Sequence, residues 1–166
     1  MTFQADTKSI VIGGTSGIGK AVVAALSTRD GTVAAVGRST GFDVTDDASV
    51  AEYFKAHGPV DHIIFTAGSS APAGTVADVA TTAAKQAFDA KFWGSIAVAK
   101  TAAAYLKPGG TLTFTSGFLS RRTVAGTYVK TAMNAGIEAV TKVLAKELAP
   151  IRVNVISPGL TDTEAY

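Results

Sequence analysis

A short β-branched run, Ile10-Val11-Ile12, enters Gly13-Gly14-Thr15-Ser16-Gly17-Ile18-Gly19, and an alanine-rich segment from Ala21 to Leu26 follows at once. Strand, glycine turn, helix: this order constrains the fold more than any other stretch of the chain. Glycine is needed where the backbone turns through positive φ or must approach a ligand closely. The helix that begins in such a turn aims its free N–H groups and the positive end of its dipole at an anion. Thr15 and Ser16 lie inside the turn and add hydroxyl donors. Gly13, Thr15, Ser16, Gly17, Ile18 and Gly19 are therefore candidate residues for holding a cofactor phosphate.

The remainder of the chain repeats the alternation. Strands are expected at Ser9–Gly13, Thr32–Val36, Val60–Thr66, Thr111–Thr115 and Ile151–Ile156, and helices at Gly17–Thr28, Ala48–Ala56, Thr81–Leu106 and Thr127–Leu148. Alternating strands and helices imply βαβ units. Strands apolar nearly throughout imply a sheet covered on both faces. The expected fold class is α/β, a Rossmann-type doubly wound parallel sheet in three αβα layers, formed by residues 1–166 as one domain. Pro108-Gly109-Gly110 and Pro150 are read as helix stops. With 166 residues, 47% hydrophobic and 17% charged, the chain is long and apolar enough for a sizeable core.

Net charge is only +2, with no basic run, so no nucleic-acid face is expected. No apolar run approaches the roughly 20 residues that span a bilayer, and the first residues lack a secretory core, so a cytoplasmic location is expected. Cysteine is absent, which excludes thiolate metal sites. His57 and His62 lack Asp or Cys neighbours and are read as structural, with no metal.

In an open parallel sheet ligands bind beyond the carboxyl ends of the strands. After the second strand stands Gly37-Arg38-Ser39-Thr40. NAD-preferring folds carry an acid there for the ribose 2′-hydroxyl, whereas Arg38 and Ser39 suit a 2′-phosphate. Asp43 and Val44 follow as a ligand edge, with Asp46 as the cap of the next helix. Ala67 and Gly68 end the third strand, and their small size lets a flat ring approach. Ser116 ends the fourth. Pro158, Gly159, Thr161 and Thr163 follow the last.

Together these residues resemble the short-chain dehydrogenase/reductase family. Gly13 to Gly19 match its T-G-x-x-x-G-I-G motif with Ile12 in place of the threonine. Asp43-Val44 is similar to its adenine-contacting Asp-Val, and Phe65-Thr66-Ala67-Gly68 to N-N-A-G with both asparagines replaced. Leu144 to Ala149, Ile151-Arg152-Val153-Asn154, Ser157-Pro158-Gly159 and Thr163 are similar to its C-terminal run. The resemblance implies NADP(H), a small carbonyl or alcohol substrate, and a homodimer or homotetramer through helices 81–106 and 127–148. Phe92 and Trp93, in the middle of a helix, are read as core or interface anchors.

The family's signature Y-x-x-x-K is absent. In the family the tyrosine moves the proton on the substrate oxygen, the lysine holds the nicotinamide ribose, a serine positions the carbonyl, and an asparagine on the preceding helix completes the relay. Tyr128 is followed four residues later by Ala132. A gap-free count back from Leu144-Ala145-Lys146-Glu147 puts Lys130 at the tyrosine position and Asn134 at the lysine position, and on the long helix Phe92-Trp93-Gly94 aligns so that Lys91 stands at the asparagine position. Ser116 persists, one residue further from position 130 than usual. A competing alignment makes Tyr128 the acid without its lysine. The catalytic candidates are thus Ser116, Lys130, Asn134 and Lys91, with Asn134 also on the cofactor ribose. Two readings stay open: an oxidoreductase with an atypical site, or a catalytically silent NADP(H)-binding partner protein. The family's helix and strand between Arg38 and Asp43 are missing. The chain ends at Tyr166, before the family's last strand, which would leave Ile151–Ile156 as an exposed edge.

Overall fold

The computed structural model describes residues 3–68 and 70–163. The elements follow in the order β1 (Lys8–Ile12), α1 (Gly17–Leu26), β2 (Thr32–Val36), α2 (Asp47–His57), β3 (Val60–Phe65), α3 (Thr81–Phe88), a π-helical turn (Asp89–Trp93), α4 (Gly94–Ala102), β4 (Leu106–Thr115), α5 (Tyr128–Glu147) and β5 (Arg152–Ile156). All five strands are parallel, in the order β2-β1-β3-β4-β5. This is a Rossmann-like doubly wound sheet, and its winding reverses between β1 and β3. Val36, Ile12, Phe65 and Phe114 pair in one row across four strands, so the segments leaving those strands emerge at one level.

Most of the core lies on one face. Ile10, Ile12, Ile63, Phe65, Leu112 and Phe114 pack there against Val50 and Phe54 of α2, Val98 and Ala102 of α4 and Ile137 of α5, all buried. Burying such side chains contributes about 2 kcal/mol each. The opposite face is covered unequally, with α1 lying against β1 and β2. Over β4 and β5 that face presents the paired Thr113 and Asn154, and Ile156 is 59% exposed. The expectation of strands covered on both faces therefore holds for β1 and not for β5, which alternates polar and apolar residues as a half-covered strand does.

Two sequence expectations are corrected. The helix expected over Thr81–Leu106 is two helices joined by the π turn, in which the Gly94 N–H donates to the Asp89 carbonyl five residues back. Pro108-Gly109-Gly110 does not end a helix. Leu106 already pairs with Val60, and Thr111 pairs with His62, so Lys107 to Gly110 loop out of the ladder as a bulge inside β4. Lys107 is fixed there by a 2.9 Å ion pair to Asp61, which also accepts the Lys8 N–H. Asp46 caps α2 as expected, accepting the Ala48 N–H at 2.9 Å. Between β2 and Asp43 the chain makes one 3₁₀ turn, Arg38–Thr40, and nothing more. Among the described residues no helix is long and apolar enough to cross a membrane.

Helix α1 packs on the turn after β1 where Gly19 faces Gly13: a Cβ on Gly19 would collide with the Gly13 carbonyl oxygen. Gly19→Ala is expected to destabilise the fold by about 2–3 kcal/mol, read as a fall in urea midpoint. An unchanged midpoint would show that the turn relaxes around the methyl.

Candidate active site

The glycine turn leaves β1 at Gly13, whose φ of +83° suits no side-chain-bearing residue, and a Cβ there would lie 2.8 Å from the Ala67 N. The turn and the loop after β3 are thus held against each other by the absence of side chains. Ser16 stands at the N-cap of α1 in extended conformation, and its hydroxyl makes no capping bond. Thr163 reaches the same place, with its Oγ1 3.8 Å from where a Gly17 Cβ would be. Thr15 Oγ1 lies 3.6 Å from the Cβ position of Gly37, which brings the β1 turn beside the β2 turn. There Arg38 and Ser39 are exposed. Asp43 takes both the N–H and the hydroxyl of Thr45, at 2.9 and 2.8 Å, and these bonds, with Arg38 nearby, hold its carboxyl below the usual range. Val44 differs from expectation: its side chain is core, 8% exposed and against Gly94.

Gly68, at the end of the β3 loop, sits on the π turn: a Cβ there would lie 2.6 Å from the Lys91 N. Lys91 is itself buried, 9% exposed. Its Nζ donates to the Ser116 carbonyl at 2.9 Å and to Asn134 Oδ1 at 2.8 Å. Three elements therefore meet on one amine: the π turn, the end of β4 and α5. Burial, and secondarily the charge of Lys130, push the Lys91 amine down to about 8. Lys130 and Asn134 lie one helical turn apart on α5 and so share a face. Tyr128, the first residue of α5, is 36% exposed and lines a different groove, with Lys85, Phe88 and Trp93. Lys91, Lys130 and Asn134 are thus brought together, and Tyr128 is not with them.

Ser116 takes part through its backbone rather than its hydroxyl. The hydroxyl points to Glu138 Oε1, at 2.7 Å, and to the Ile156 carbonyl, at 3.4 Å. The residue at the spacing the family resemblance expects is Gly117, where a Cβ would lie 2.8 Å from Asn134 Nδ2. Sequence reading missed Glu138. It lies one turn beyond Asn134 and accepts from Ser116, from Ser120 at 2.6 Å and from Arg121 at 3.4 Å, so it ties the loop after β4 to α5. The outward signal was its place four residues beyond Asn134, on the face that carries Lys130. Pro158 accepts the Phe118 N–H at 3.0 Å, which brings the loop after β5 beside this one, while Gly159 and Thr161 are exposed. His57 and His62 bond to the Tyr53 carbonyl and to Thr111.

The family described as SDR-like Rossmann domain matches residues 21–166. The chain is 31% identical over 193 aligned positions to a short-chain dehydrogenase/reductase of Acremonium sp., covering 95% of this chain and 73% of the relative. It is 33% identical over 111 residues to one of Stachybotrys chlorohalonatus, 66% of this chain and 44% of the relative, so it spans less than half of that protein. It is also similar to a crystal structure of a small-chain dehydrogenase in complex with NADPH: 60% identity, TM-score 0.94, covering 97% of this chain and 74% of that one.

The lowered amine has a signed consequence. Lys91 gives up its proton near pH 8 when folded and at an ordinary value of 10.5 when unfolded. Between those values the unfolded chain holds more protons, so the native state gains stability as pH rises. Relative to Lys91→Met, the wild type is expected to gain up to about 3 kcal/mol between pH 7 and pH 10.5. Urea unfolding of both proteins at the two pH values measures this, and a difference that stays flat would show the amine is not held down.

Proposed function

The chain belongs to the short-chain dehydrogenase/reductase family, and on that premise we propose that it is an oxidoreductase that binds NADP(H) and acts on a small carbonyl or alcohol, with Lys130 in place of the usual tyrosine. One observation carries the cofactor half of this reading. The open glycine cradle at the start of α1 stands beside a turn that offers Arg38, with no acid at the position that would select a 2′-hydroxyl. The NADPH in the 60% identical protein supports the same reading.

In this assignment Gly13, Thr15, Ser16, Gly17, Ile18 and Gly19 hold the pyrophosphate, and Arg38 and Ser39 the 2′-phosphate. Asp43 and the Val44 backbone edge the adenine, and Ala67 and Gly68 admit the flat rings. Pro158, Gly159, Thr161 and Thr163 close over the nicotinamide end, and Asn134 takes its ribose. When bound, the dinucleotide supplies or accepts the hydride.

The chain supplies the proton and the charge. Lys130 gives a proton to the carbonyl oxygen as the alcohol forms and regains one from solvent. Lys91 and Asn134 exchange the helices on which the family carries its amide and its amine, and the 2.8 Å bond between them keeps the pair together. The positive charge of Lys91 stabilises the developing alkoxide. Ser116 serves by anchoring Lys91 through its carbonyl. The exposed Trp93 and Tyr128 support a homo-oligomer through α3, α4 and α5.

Fluorescence titration is expected to show NADPH bound at least about tenfold more tightly than NADH, a margin of about 1.4 kcal/mol. Arg38→Ser should remove that margin and leave NADH unchanged; equal affinities in the wild type would overturn the 2′-phosphate assignment. Lys130→Met should bind NADPH normally and lose roughly 10²–10⁴-fold in kcat. A wild type that binds NADPH and reduces none of a carbonyl panel would favour the silent binding protein.

A further inference from the structure

We propose that the substrate is an oxo acid: a carbonyl compound bearing a carboxylate close to the reacting carbon, held between Lys91 and Lys130. The inference rests on the placement of Lys130 at the substrate oxygen and adds the chemical class of what lies there.

The Lys91 amine lies between the end of β4 and α5, the charge of Lys130 on α5 reaches it, and no acid is paired with either. Among the described residues neither lysine makes an ion pair, and the Lys130 amine makes no hydrogen bond. Lys91 spends two of its three N–H donors on neutral acceptors, the Ser116 carbonyl and the Asn134 carboxamide. One donor and the whole charge remain. The acids nearby are committed elsewhere. Glu138, on the same face of α5, takes two serine hydroxyls and Arg121. Asp89, on the same π turn as Lys91, lines the separate groove with Trp93 and Tyr128.

A buried cation beside a second cation is costly unless something negative joins them. Burial first, and then the charge of Lys130, both act against a proton on the Lys91 amine. A neutral ketone would take one N–H and leave the other charge uncompensated. An oxo acid takes both: its carbonyl oxygen meets Lys130, and its carboxylate takes the third Lys91 donor and offsets the charge. Charge-assisted bonds of this kind are about twice as strong as neutral ones.

Oxamate, an oxo-acid isostere that accepts no hydride, and its neutral partner oxamide test this by calorimetry on the NADPH-loaded protein. Oxamate is expected to bind at least about tenfold more tightly than oxamide. Lys130→Gln should remove the preference, and Lys130→Arg should keep it; this half-exposed helical position makes both variants safe for folding. Turnover of pyruvate or acetoacetate should exceed that of butanone by at least about tenfold in kcat/KM. Equal binding of oxamate and oxamide would overturn the proposal, as would sulfate competing as well as oxamate, which would mark a general anion site. Absence of NADPH binding in the same wild-type protein would instead overturn the cofactor reading, so the two failures are distinguishable.

Discussion

The candidate site depends on one constraint: every strand of the sheet runs the same way and ends near the same level. Ile12, Val36, Phe65 and Phe114 share a row, so Gly13, Gly37, Thr66 and Thr115 leave the sheet side by side, and β5 delivers Ser157 next to Ser116. Residues far apart in sequence need no long loops to meet. They meet because parallel pairing buries the strand interiors and returns each crossover to the same edge. The price is close approach at that edge, which explains why Gly13, Gly19 and Gly68 face carbonyls and amides where a methyl would not fit.

Within that frame Lys91 is the joint. A lysine on a regular helix would put its stem in line with its neighbours at i±4. Here the chain carries an extra residue in a π turn, and such turns are frequent at functional sites. Gly68 fits against the Lys91 backbone and Asn134 against its amine, so the β3 loop, the β4 end and α5 are held by one residue. Glu138 secures the opposite side of the same loop. Burial would raise its carboxyl, but the hydrogen bonds from the Ser120 and Ser116 hydroxyls and then the charge of Arg121 outweigh it and hold the carboxyl below the usual range. Removing either polar centre would leave buried partners unsatisfied, which costs more than an exposed hydrogen bond ever contributes.

The order of elements was legible in the sequence because glycine turns and β-branched runs are local signals. The α1 start, the Asp46 cap and the α5 span needed nothing beyond their own neighbours. The break in the long helix was not legible: Asp89 to Trp93 have ordinary helical composition, and the contact of the π turn with Gly68 is remote in sequence. Nor was the early start of β4, because Pro108-Gly109-Gly110 reads as a stop until Val60 is known to pair with Leu106. At the site, counting along α5 put Lys130 and Asn134 one turn apart, and α5 carries both. The direction of the Ser116 hydroxyl was beyond reach, since it depends on Glu138, a contact across 22 residues. Val44 shows the same limit from the other side, since a motif position cannot reveal that its side chain is turned into the core.

On the proposed assignment, a lysine in place of the tyrosine changes more than the identity of the acid. A phenol begins neutral and ends anionic, so its reaction gains from a cation beside it. An ammonium begins charged and ends neutral, and on that assignment it begins beside another amine whose own proton is held less tightly because of burial and of Lys130. On the proposed chemistry, each proton that Lys130 gives to an alkoxide removes one member of a like-charged pair, and the released repulsion favours the alcohol side. Alcohol oxidation must rebuild that pair against the same repulsion. On that assignment the site is biased toward reduction by its own charge arrangement, and an anionic substrate moderates the bias by screening the pair.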